Sequence, residues 1–168
     1  MNDNLFVSDL LELAILNEQD GYAFYTVSAK KLNDEKLISF FHFLAEEELK
    51  HQKYLKDMKN RLDTFAAKES LPRSYDASLK TYMNSLAPGK DKALEAQVDQ
   101  VSNVEDALKI ALDFERNSVI YYAILKTIAH PDLYPMLDEI IKEEVKHVLK
   151  INHYKETGIP EMEDRDAT

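Results

Sequence analysis

Two short stretches, EEELKH at residues 46–51 and KEEVKH at residues 142–147, each place a glutamate three residues before a histidine. In a helix that spacing sets Glu48 with His51, and Glu144 with His147, on one face, where a carboxylate and an imidazole reach the same metal ion. Two more glutamates precede these pairs, Glu18 by 30 residues and Glu115 by 29. All four carboxylates fall on apolar stripes. Ile15 and Tyr22 flank Glu18, and Leu112 and Val119 flank Glu115. The stripe from Leu44 to Leu55 runs through Glu48 and His51, and that from Ile140 to Ile151 through Glu144 and His147. A buried carboxylate without compensation costs several kcal/mol or takes up a proton. Two divalent cations resolve this, because they oppose four negative charges with four positive ones and coordinate the oxygens directly. Two Glu-x-x-His pairs with one glutamate from each of two other helices form a carboxylate-bridged two-metal pattern. Four carboxylates and two imidazoles without sulfur suit iron or manganese, with zinc as an adventitious occupant.

The duplication carries this reading. A single Glu-x-x-His in an acidic helical chain is usually a solvated face. Glu46, Glu47 and Glu143 keep that role, because a helical neighbour of a ligand points ~100° away from it. His42, His130 and His153 have no counterpart in the other half and are expected in loops or on the surface. Tyr25 and Tyr122 stand seven residues after Glu18 and Glu115. They are either core aromatics or phenols that hydrogen-bond and orient a ligand carboxylate.

The elements that must position these residues are legible as helices. The first is expected from Ser8 to Lys31, with Leu11, Ala14, Ile15, Tyr22, Tyr25, Ala29 and Leu32 on one face. A short polar turn, NDEK, offers Asp34 as a cap for a second helix running to about Ala66. A third begins near Ser102 or Asn103, where SNVE fits a capping box of Ser102 with Glu105. AHPDLYP is a turn, and a fourth helix runs from about Leu133 to Lys155 and ends at Gly158. Residues 68–101 carry the breakers, in SLPRSYD and LAPGKD, with short helices expected around Ser78–Leu86 and Lys92–Val98. Glu18 and Glu115 are 97 residues apart, as are Tyr25 and Tyr122, while Glu48 and Glu144 are 96 apart, as are His51 and His147. The chain thus reads as all-α: one four-helix bundle over residues 1–158, made of hairpins 8–66 and 102–155 joined by a long crossover, then an acidic tail at 159–168.

Composition sets outer bounds. The 168 residues include three glycines, five prolines and no cysteine, and the formal net charge is −10. Disulfide, thiolate, zinc-finger and iron–sulfur chemistry are excluded. The acidic balance argues against nucleic acid or anionic membranes as partners. No apolar run spans a membrane and MNDNLFVSD lacks a signal pattern, so the expected location is the cytoplasm.

NEQDGYAFY with EELKH, and FERNSVIYY with EEVKH, resemble the ferritin-like di-iron proteins, and the rubrerythrin family most closely. The resemblance covers both hairpins. It implies a ferritin-like four-helix bundle, with Glu18, Glu48, His51, Glu115, Glu144 and His147 as ligands of two iron ions and Tyr25 and Tyr122 as the associated tyrosines. It further implies a homodimer and a role in iron oxidation or peroxide removal under oxidative stress. Two departures stand out. Rubrerythrins carry an extra glutamate one turn after the third-helix ligand, where this chain has Ser118. Full rubrerythrins also carry a four-cysteine rubredoxin-like domain, which this cysteine-free chain lacks, so an external electron donor protein is expected. The expected function is a non-haem di-iron oxidoreductase that oxidises Fe(II) with, or reduces, O2 or H2O2. The alternative is an iron-binding or storage module without turnover. A purely structural bundle and a substrate oxygenase are further rivals.

Overall fold

The computed structural model describes residues 7–64, 73–86 and 91–162. Six α-helices carry them: α1 (Val7–Lys31), α2 (Glu35–Thr64), α3 (Arg73–Leu86), α4 (Asp91–Gln100), α5 (Val104–Ile128) and α6 (Tyr134–Thr157). A 3-10 turn, Pro131–Leu133, joins the last two. No strand occurs among the described residues. The expected end of the second helix at Ala66, the breakers Pro72, Pro88 and Gly89, and residues 163–168 of the acidic tail lie outside the described residues.

The long helices pair as two hairpins, α1 on α2 and α5 on α6, and α1 also meets α5. The α1–α5 crossing is antiparallel. Leu10 meets Tyr121 and Glu18 meets Tyr122, whereas Tyr25 further along α1 meets Glu115 further back on α5. The crossover lies along the outside, with α3 against α5 and α4 against α1. Lys31 fastens α4 by donating to the Val98 carbonyl at 2.8 Å.

Local chemistry sets the helix ends. Asp34 accepts from the backbone N–H groups of Lys36 and Leu37 at 3.0 and 2.9 Å, and so caps α2 as expected. Gly158 stops α6 in the left-handed conformation (φ 66°), with its N–H on the Tyr154 carbonyl. Three expectations shift. Ser8 lies inside the first turn of α1 rather than ahead of it. The cap of α5 is Asn103, whose side chain accepts from the Asp106 N–H at 2.9 Å, not Ser102 with Glu105. Both pairs fit the capping pattern one residue apart. The buried Val101 and the half-buried Val104 set which one falls at the helix start. Third, α3 begins five residues earlier than Ser78.

The core forms two apolar clusters. One gathers Leu10, Leu11, Leu55, Met58, Leu125, Leu137 and Ile140 with their neighbours. The other gathers Phe24, Phe40, Phe41, Leu44, Leu108, Leu112 and Ile151. In each long helix the residues between the two clusters form a belt across the bundle, and every Glu and His of the repeated pattern falls in that belt.

Candidate metal centre

The structure brings all six side chains together inside the bundle. Glu18, Glu115 and Glu144 are fully buried, and Glu48, His51 and His147 are at most 5% exposed. One ligand atom from each of Glu48, His51, Glu144 and His147 lies within 4.8 Å of the others. The two imidazoles stack with centroids 5.3 Å apart and turn Nδ1 toward the carboxylates. His51 Nδ1 lies 2.9 Å from Glu144 Oε1, 3.2 Å from Glu18 Oε2 and 3.9 Å from Glu48 Oε2. His147 Nδ1 lies 3.3 Å from Glu115 Oε2 and 3.6 Å from Glu144 Oε2. Each histidine therefore faces the first-helix glutamate of its own hairpin, and Glu144 spans both.

The tyrosines cross between hairpins. Tyr122 of the second donates to Glu18 Oε1 of the first, and Tyr25 of the first donates to Glu115 Oε1 of the second. Each phenol holds one carboxylate oxygen and leaves the other aimed at a histidine. Of the two readings open from sequence, the hydrogen-bonded phenol is the one the geometry shows. Glu48 and Glu144 have no phenol. Glu48 Oε1 and His51 Nε2 are buried without a hydrogen-bond partner, and the two Glu144 oxygens, 2.9 and 3.6 Å from the imidazoles, lie within ion-pair range of them but make no hydrogen bond of good geometry. Buried polar atoms are nearly always satisfied, so a cluster of orphaned acceptors marks a place for a cation. Oxygen and imidazole donors in this ratio fit iron or manganese.

Charge crowding shows in the protonation equilibria. Burial pushes the Glu48 carboxyl well above the carboxylate range, and the charges on Glu18 and Glu115 add to it. Burial acts on Glu115 in the same sense, but His147 beside it and the Tyr25 hydroxyl outweigh it and hold the group low. Burial alone would depress both imidazoles. Glu144 and Glu18 lift His51 well above its usual value, and Glu115 and Glu144 lift His147 to about 9. Burial and the neighbouring carboxylates keep both phenols protonated.

The remaining candidates lie elsewhere. Glu46 is exposed and Glu47 and Glu143 are half-buried, bonded to Lys50 and Lys146 respectively. His42 is exposed, His130 accepts from the Asp132 N–H in the 3-10 turn, and His153 lies 3.6 Å from Glu161. Sequence reasoning missed Gly21 and Phe114. A Cβ on Gly21 would stand 2.8 Å from Phe114 Cε1 and 3.1 Å from the Glu48 carboxyl carbon. The signal was present: a glycine between Glu18 and Tyr25 costs a helix interior about 1 kcal/mol, which favours a packing reason for its presence.

The fold and belt together define a ferritin-like, carboxylate-rich bundle with a metal-binding cluster at its centre. The sequence matches the rubrerythrin family over residues 9–155, and the chain belongs to that family. It is similar to a solved structure from Thermotoga maritima described as a ferritin-like diiron-carboxylate protein. The TM-score is 0.69 at 22% identity, over 92% of this chain and 97% of the other. At that identity the likeness speaks for the fold. No curated protein matches the sequence. No helix among the described residues is long and apolar enough to cross a membrane.

Proposed function

We propose that the chain is a non-haem di-iron oxidoreductase that oxidises Fe(II) with, or reduces, O2 or hydrogen peroxide. The observation that carries this reading is the sealed belt of four carboxylates and two imidazoles with orphaned oxygens at its centre. Glu18 and His51 would hold one iron, Glu115 and His147 the other, with Glu48 and Glu144 between them. A bound ferrous pair supplies one electron per metal to a dioxygen-derived oxidant. The protein's own part is positional. Tyr122 and Tyr25 fix the outer oxygens of Glu18 and Glu115, so the inner oxygens keep one direction. Glu48 and Glu144 accept from no phenol; Glu144 instead faces both imidazoles, 2.9 Å from His51 Nδ1 and 3.6 Å from His147 Nδ1. The apolar clusters on both sides exclude bulk water and strengthen every electrostatic contact inside. These residues include no cysteine for an iron–sulfur relay, so the reducing equivalents for repeated turnover would come from an electron donor other than this bundle.

The test is an anaerobic Fe(II) titration followed by O2 or peroxide. About two irons per chain are expected, then a ferric absorbance band on oxidation. Unchanged uptake in Glu48→Ala and Glu144→Ala would sink the assignment. Oxidation that stops after one equivalent of bound iron, with a reductant present, would favour an iron store over an enzyme.

A further inference from the structure

All six belt residues are sealed, so a metal ion must displace some side chain to reach them. We propose that Phe114 is that side chain: a gate through which divalent cations pass from an outer pocket to the Glu48 side of the centre. This rests on the ligand reading above. The pocket lies between the crossover helices and α5 and holds about 360 Å³. Six waters occupy ~180 Å³ at their liquid share, so a hydrated cation fits. Its walls offer oxygen from Asp113, Asn117 and Gln97, and from Asp106, one oxygen of which accepts from Asn103 at 2.8 Å, against one ammonium, Lys109. The groove between α1 and α2 is less suited. Lys56 and Lys59 line it, and its Glu12 is already paired with Lys59 at 3.2 Å.

Phe114 lines the pocket on one side and meets the centre on the other. The residue is 4% exposed. Its ring edge fills the notch at Gly21, and the Glu48 carboxyl carbon borders the same notch, 3.1 Å from where a Cβ would stand. The Glu48 carboxyl that borders the notch carries an oxygen, Oε1, that is buried without a hydrogen-bond partner. Phe24 lies almost parallel to the ring, with centroids 6.4 Å apart and 8° between planes, and packs against it in this position. The gate has no twin. The 97-residue offset sets Asn17 in the place of Phe114 and Ser118 in the place of Gly21.

A gate changes the barrier and not the end states. Anaerobic stopped-flow binding of Co(II) to the metal-free protein, extraction by a chelator, and an equilibrium titration separate the two. Phe114→Leu and Phe114→Ala are expected to raise the association and dissociation rates together by about tenfold, with Kd nearly unchanged. Phe114→Trp slows both. Asp113→Asn lowers association and weakens its dependence on salt. Unchanged rates in the Phe114 variants, or a weaker Kd with unchanged association, would overturn the gate while leaving the ligands in place. Wild-type protein that binds no Co(II) would sink the ligand assignment, and the gate with it.

Discussion

Tyr25 and Tyr122 each give a hydroxyl to a glutamate of the opposite hairpin, so each half of the repeat orients a carboxylate of the other. Removing such an outer partner usually costs a metal site about 10- to 100-fold in affinity. Tyr25→Phe and Tyr122→Phe should each lose affinity in that range by Co(II) titration while circular dichroism stays unchanged. Full affinity in both would mean the phenols are packing alone. Gly21 lends itself to a sharper test, because two effects oppose. Alanine gains about 1 kcal/mol of helix propensity over glycine. Its Cβ, however, meets Phe114 at 2.8 Å and Glu48 at 3.1 Å, and overpacking costs about 1–3 kcal/mol. Gly21→Ala should therefore keep the fold, with little change in the apo melting temperature, and weaken metal binding. Unaltered affinity would show that the ring and carboxylate give way freely. The six belt residues were legible because the chain states them twice at matching offsets. Gly21 and Phe114 were not, because their meaning arises only where α1 crosses α5, and periodicity within one helix does not show which residues meet across a crossing.

Helices α1 and α2 are joined by three residues, and Asp34 does most of the work of that turn. Its carboxyl lies below the ordinary value. The Leu37 N–H is the main cause; slight burial opposes it, and the Tyr154 hydroxyl and Lys36 assist. Tyr154, shielded by burial and facing Asp34, is itself pushed up to about 12. The sign follows from the depression. The unfolded carboxyl titrates near ~3.9, so the cap contributes fully above that pH and its contribution is lost as pH falls through the folded value. Asp34→Ala should cost about 1 kcal/mol, read as a drop of roughly 2–4 °C in melting temperature for a domain of this size. Asp34→Asn keeps the cap and should flatten the acid limb of the stability curve. An equally steep limb in Asp34→Asn would place the acid sensitivity elsewhere. This cap was visible in the sequence, because a short polar turn between two apolar stripes leaves few places for a helix to begin. The α5 cap was displaced by one residue, because two overlapping capping pairs compete there and the burial of Val101 decides between them.

Across the whole molecule, two apolar clusters clamp the ends of a bundle whose middle is a charged belt. The architecture trades apo stability for a site. Glu48 shows the trade most directly. Burial, with Glu18 and Glu115 next to it, raises its folded pKa, so the folded state binds this proton more tightly than the unfolded one. Its cost therefore begins above the unfolded carboxylate range near ~4.3 and grows as pH rises toward the folded value. Glu48→Gln removes that cost along with an oxygen ligand. The metal-free variant should melt higher than metal-free wild type, by more at pH 7 than at pH 5, because the cost grows above the unfolded carboxylate range. Metal should reverse the order. Free ion at 100 times its Kd stabilises a native site by about 2.7 kcal/mol, which for a domain of this size raises the melting temperature by roughly 5–10 °C. Wild type should gain that increment and Glu48→Gln little of it. Thermal unfolding of both proteins, with and without Co(II), at the two pH values measures all of these terms. A Glu48→Gln protein that is less stable than metal-free wild type at both pH values would show that the belt is compensated without metal. The repeat, the hairpins and the long crossover were legible from sequence, because they follow from offsets and helical period. The balance between clamped ends and a strained middle was not, because it depends on which apolar residues close over the belt once the hairpins dock.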